Sequence, residues 1–150
     1  MVKLVTVLFG IVLTNTAFAV IPANTELPIT SIKLQKFVPD EDRPAVFRIE
    51  ASKAQGAAGE AARHLAGCTL EGIAHLEAKP QRIAIKNAHI KCPTEPKNAK
   101  RPHEAHITGQ ILGTDHRTGL RITCKYQPLC SVATLGDGET GFFLTSKPLN

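Results

Sequence analysis

Apolar and polar residues alternate along most of this chain in short runs, the two-residue period of half-buried strands. From Ile29 to Phe37, Ile32 and Leu34 alternate with Lys33 and Gln35, and Ala45 to Ala51 is a second run with Val46 and Arg48 on one face. Thr69 to Glu77 and Arg82 to Cys92 follow, joined near Lys79-Pro80. In the latter, Ile83, Ile85 and Ile90 keep no single phase, so the alternation breaks around Asn87-Ala88 and predicts a bulge. Further strands are expected at Ala105 to Leu112, Leu120 to Tyr126, Ser131 to Leu135 and Phe142 to Ser146. Turn signals separate them: Pro39 to Pro44, Gly113-Thr114-Asp115 and Gly136-Asp137-Gly138. Pro93 to Pro102, with Pro96, Lys97, Lys100 and Arg101, reads as a loop. Seven or eight short strands with Gly/Pro turns define a mainly β fold, a single small β-barrel or β-sandwich domain.

Three segments depart from that period. Ala54 to Ala66 is rich in Ala with Glu60, Arg63 and His64, and predicts one short helix near 54–66. Gly56 and Gly59 each cost it about 1 kcal/mol against Ala, so a flexible loop competes. Residues 20–28 are polar, carry two prolines and read as an extended arm ahead of a β domain at 29–150. Residues 1–19 read as a cleavable signal peptide. Lys3 is the positive n-region, Leu4 to Leu13 an apolar core broken only by Thr6 and Gly10, and Ala17-Phe18-Ala19 the small-residue cleavage site. The apolar run falls well short of the ~20 residues a membrane-spanning helix requires. Cleavage after Ala19 leaves 150 − 19 = 131 residues, enough for one domain with a modest core, and a periplasmic address.

That address changes the meaning of the four cysteines, Cys68, Cys92, Cys124 and Cys130. An even number in an oxidising compartment implies two disulfides, with three possible connectivities. Cys68 and Cys92 sit at the outer ends of a strand–turn–strand unit, so antiparallel pairing would let one bridge close the base of the hairpin. Cys124 and Cys130 flank a Pro-containing turn. The rival reading, Cys124 and Cys130 with His103 and His106 as metal ligands, lacks the paired C-x-x-C spacing of common zinc sites. No metal and no cofactor is expected.

Charge adds little. Removing Lys3 lowers the net charge from +5 to +4, and the basic residues are scattered apart from Lys97, Lys100 and Arg101. The remaining aromatics, Phe37, Phe47, Tyr126, Phe142 and Phe143, are too few and badly spaced for a base-stacking platform, so nucleic acid is not an expected partner. Catalytic motifs give no lead. There is no G-x-S-x-G, no H-E-x-x-H and no phosphate-binding glycine loop, the six histidines are dispersed, and Asp40, Glu41 and Asp42 form a solvated turn. A non-enzymatic role is expected.

One stretch is more specific. Gly67-Cys68, Gly72, Arg82, Ile85 with Lys86, then Ile90 and Cys92 resemble the periplasmic C-terminal domain of TraB/TrbI-type conjugation proteins, scaffolds of type IV secretion outer-membrane core complexes. The likeness continues through Ile107-Thr108-Gly109, Gly113, Asp115 and Gly119-Leu120-Arg121, and upstream through Arg43 to Ile49. It covers about Ile32 to Arg121. The resemblance implies that the glycines sit where strands bend or crowd, and that the Cys68–Cys92 bridge pins a hairpin on the barrel wall. Arg82 and Lys86 read as solvated strand residues, with partner contacts the alternative. The chain departs from that family where a cleavable signal replaces an inner-membrane anchor, and where Cys124 to Cys130 replaces a helical pore segment. The role implied is a structural or accessory component of the apparatus, peripheral to the membrane at most. Its expected partners are other core subunits or copies of itself, met at exposed strand edges. The competing class is a soluble secreted binding protein, an inhibitor or effector.

Overall fold

The computed structural model describes residues 21–78, 81–93, 103–125 and 130–149. The expected signal, its cleavage site and most of the Pro93 to Pro102 loop lie outside the described residues. The domain is mainly β, as expected, and the large sheet curls into a half-barrel around one apolar core.

The strands are β1 (Glu26–Ser31), β2 (Gln35–Phe37), β3 (Arg43–Ile49), β4 (Thr69–Ala78), β5 (Gln81–Cys92), β6 (His103–His106), β7 (Gly109–Gly113), β8 (Leu120–Arg121), β9 (Thr123–Lys125), β10 (Val132–Leu135) and β11 (Thr140–Thr145). The large sheet runs β6-β5-β4-β3-β1-β11-β7, with β8 added to β5, and a small sheet runs β2-β10-β9. All the named strand pairs are antiparallel. Alternate residues fill the core: Leu27 and Ile29 from β1, Ala45, Phe47 and Ile49 from β3, Leu70, Ala74 and Leu76 from β4, and Phe143 from β11.

In β5 the inward phase shifts. Ile83 and Ile85 are buried, then Ala88 and Ile90, and Asn87 between them has φ +51°. The register moves from Glu71↔His89 to Ile73↔Lys86, so two residues of β5, Asn87 and Ala88, stand against Gly72 alone. This is the bulge expected from the broken alternation, and it lets one long strand present apolar side chains inward along its whole length.

Several elements differ from the sequence reading. The run from Ile29 to Phe37 is two strands, because Ser31 donates its hydroxyl to Lys33 O and its backbone bonds to Gly138 and Glu139. Ile32 and Leu34, at the break, are 39 % and 59 % exposed, so their alternation does not mark a buried face. Ala105 to Leu112 likewise splits into β6 and β7 around buried Ile107, and Leu120 to Tyr126 into β8 and β9. The expected arm is part of the fold. Ile21 is fully buried and bridges Leu149, and Thr25 N–H donates to Thr145 Oγ1, whose hydroxyl donates to Pro22 O. The Thr25 and Thr145 hydroxyls both donate to Pro22 O, so polar side chains satisfy backbone groups where the two ends of the described chain meet.

The helix forms as α1 (Gly56–Arg63), preceded by a 3-10 turn (Ala51–Lys53). Ala62 within it and Leu65 beyond it are buried, and that packing outweighs the cost of its two glycines. Both disulfides are formed, Cys68–Cys92 and Cys124–Cys130.

The close approach at Gly109 is the tightest of the glycine contacts. A Cβ there would lie 2.2 Å from Leu144 O and 2.7 Å from the Phe143 ring, where β7 crosses β11. Gly109→Ala is expected to cost about 2 kcal/mol, the usual scale of overpacking, as a lowered urea midpoint at unchanged m value.

Candidate interaction surface

Two clusters of polar side chains are built by the same strand, β5, at its two ends. The first closes the half-barrel. Arg82, expected to be solvated, is buried, with 7 % of its surface exposed. Its guanidinium grips Asp115 with both terminal nitrogens, at 3.1 and 2.5 Å, and donates to Gly119 O at 2.9 Å. Ile83 points into the core, so Arg82 points the other way, and the turn after β7 folds over it. That turn needs Gly119: its φ is +81°, and a Cβ would lie 2.8 Å from Arg82 Cβ. A parallel bridge between Leu112 and Gly119, with β8 pairing β5 at Arg82↔Arg121 and Ile83↔Leu120, ties β7 back to β5.

The electrostatics follow from the register. Arg82 and Arg121 face each other across β5 and β8, a like-charge pair that would repel. Asp115 sits between them, its Oδ2 also taking a hydrogen bond from Arg121 at 3.1 Å. The Arg82 hydrogen bonds, helped by the Arg117 amide and Arg121, hold the Asp115 carboxyl far below the usual carboxylate range.

The second cluster lies on the outer face of β4, β5 and β6. The registers Glu71↔His89↔His106 and Thr69↔Lys91↔Glu104 make two rows across the three strands. His89 Nε2 lies 3.4 Å from Glu71, Lys91 lies 3.9 Å from Glu71 and 3.7 Å from Glu104, and the His89 and His106 rings meet edge-on at 6.2 Å. A shallow depression of 320 Å³ opens between His89, Glu104, Ala105 and His106. Lys86 and Asn87, both exposed, stand beside it on the bulge.

The residues singled out from the sequence thus separate into roles. Cys68 and Cys92 close the base of the β4–β5 hairpin next to the pair Thr69↔Lys91, with exposed Gly67 leading in. Gly72 makes room for the Ile85 side chain at the bulge, and Lys86 is exposed there. Arg82, Gly113 and Gly119 belong to the seam, and Gly109 to the β7–β11 crossing. Cys124 and Cys130 are bonded to each other and so are not ligands beside His106. Among the described residues, no group of three or more His, Cys, Asp or Glu is placed to hold a metal ion. The Glu71–His89–His106 row and the seam role of Asp115 were missed, because each joins residues brought together only by register.

Comparison with protein-family models and with curated proteins matches nothing to this chain. The two disulfides fit an oxidising, extracytoplasmic environment. No helix among the described residues is long and apolar enough to cross a membrane.

Proposed function

We propose that this chain is a structural or accessory component of a type IV secretion or conjugation apparatus, exported to the periplasm, where it binds other core subunits or copies of itself. The observation that carries the reading is the β4–β5–β6 wall. It is a long hairpin pinned at its base by Cys68–Cys92, bulged at Asn87, and ending in a short charged strand that pairs on one side among the described residues. Such a wall is rigid where it joins the core and open to strand addition at its rim. The resemblance of Ile32 to Arg121 to TraB/TrbI-type domains supports the same reading, since Gly72 and the first cysteine pair fall in that wall, and Gly113 and Gly119 in the seam that closes it.

Recovery of the tagged protein from detergent-solubilised envelopes tests the proposal. In a host carrying such an apparatus, the protein is expected in a large assembly together with secretion-system scaffold subunits. A lone monomer of about 14 kDa, at ~110 Da per residue, would overturn the proposal and leave a secreted binding protein.

A further inference from the structure

We propose that β6 pairs antiparallel with β6 of a second copy of this chain, about a two-fold axis through Ala105. The inference deepens the strand-edge reading above by naming the partner, and its test is separate from that of the apparatus. Among the described residues β6 has one neighbour, β5, and its other edge is unpaired.

The backbone fixes which residues are available. Ile107 N–H donates to Ala88 O at 3.0 Å, and the register continues through His89↔His106, Ile90↔Ala105 and Lys91↔Glu104. Hydrogen-bonded and non-bonded pairs alternate in an antiparallel ladder, so Ala105 bonds to β5 while Glu104 and His106 turn their N–H and C=O groups outward. An incoming strand must bond to those two residues.

The side chains then select the register. A two-fold axis at Glu104 would set Glu104 against its own copy, and an axis at His106 would set His106 against its own. The axis at Ala105 sets Glu104 against His106 of the second copy, twice, with all the outward backbone groups of both residues paired. A carboxylate directly across a strand pair from an imidazole N–H donor is favourable, and two carboxylates facing each other are not. Glu104 and His106 lie on the same face as Glu71, His89 and Lys91, so the pairing joins the two rows end to end: Glu71, His89, His106, then Glu104, Lys91 and Thr69 of the second copy. The edge is therefore complementary to itself in a closed isologous contact. Four residues a side make a small interface, and the association is accordingly weak and reversible.

Sedimentation velocity of the exported, oxidised protein from micromolar to millimolar concentration tests this. A monomer–dimer equilibrium is expected. Glu104→Lys and His106→Glu should each weaken it roughly tenfold, by removing or reversing the cross-copy attraction. The double variant sets a lysine at position 104 against a carboxylate at position 106 of the second copy, an attractive pair in place of the original one. It should restore the dimer to wild-type strength or better. Changes within one copy persist in the double variant, so restoration isolates the contact between copies. A monomer at every concentration, or single variants that associate as well as wild type, or a double variant that stays monomeric while folded, would overturn the pairing. A monomer that still enters the envelope assembly would remove this edge and leave the apparatus. A dimer found in no assembly would do the reverse.

Discussion

Arg82→Met will open the seam of the half-barrel and cost the domain about 3 kcal/mol, seen as a lower urea midpoint and faster amide exchange from Ile111 to Arg121. The magnitude follows from what the guanidinium supports. Its buried bond to Gly119 O is charge-assisted, and bonds of that kind contribute about 1.5–3 kcal/mol each. A second, longer bond reaches Arg117 O, and the bidentate pair with Asp115 is lost as well. Methionine fills the apolar volume of the stem and supplies none of these donors. Arg82→Lys keeps the charge and is expected to recover only part of the stability, because a single ammonium cannot hold both carboxylate oxygens and a carbonyl in one plane. The loss is local first: β8 is two residues long, and without Arg82 it is held by the pairs Arg82↔Arg121 and Ile83↔Leu120, the buried Leu120 side chain and the Gly119 tie to β7.

The same cluster sets an acid limb. The folded-state pKa of Asp115 lies well below its ordinary value of 3.8, so its contribution is fully present above that value. It is lost as pH falls through the folded pKa, when the carboxyl takes up a proton and Arg82 and Arg121 are left facing each other. Between neutrality and about pH 4 the pair therefore gives no pH dependence, and below about pH 4 it gives a steep one. Asp115→Asn should flatten that limb in urea titrations taken at successive pH values. If the variant follows the wild-type acid limb, other carboxylates set it.

How far the sequence reveals this architecture depends on the range of the interaction concerned. The bulge was legible because its cause is local: Ile83, Ile85 and Ile90 cannot share one face unless a residue is inserted, and Asn tolerates the positive φ that insertion requires. The hairpin and its disulfide were legible because the strands are adjacent in sequence and the cysteines mark their ends. Arg82 was not. A lone arginine in an apolar strand reads as solvent-facing, and its partner is 33 residues away in a turn whose path over β5 no local pattern records. The apolar alternation of Ile32 and Leu34 misled for a related reason. Period two reports a pleat with two unlike faces only if the segment is in a sheet, and Ser31 has already turned the chain toward Gly138 and Glu139. For the candidate surface the sequence suggests only strand edges in general. Its particular rows of Glu, His and Lys exist through register across β4, β5 and β6.

Removing the Cys68–Cys92 bridge, as Cys68→Ala with Cys92→Ala, is expected to lower stability by about 3.5 kcal/mol. In the chain-entropy treatment the relevant loop holds 92 − 68 + 1 = 25 residues, and freeing it raises the entropy of the unfolded chain by that equivalent. The corresponding loss for Cys124 and Cys130 is roughly 2.3 kcal/mol, because their loop is much shorter. Against a net stability of about 5–15 kcal/mol for a small domain, the first loss is the more dangerous. It also has a structural reach the second lacks. Cys68 is buried where α1 and its following turn lead into β4, and Cys92 is in register with His103 at the start of β6. The bridge therefore holds the base of the hairpin and the strand that forms the rim together. Urea unfolding of the two double variants, with amide exchange along β4, β5 and β6, separates the effects. The expected order is a larger midpoint shift for Cys68 and Cys92, with exchange rising first near Thr69, Lys91 and His103. Equal shifts for the two pairs would mean that loop length does not govern, and that the bridges act through native packing. A small shift with a wholly intact hairpin would mean that the β4–β5 pairing alone is enough to hold the wall.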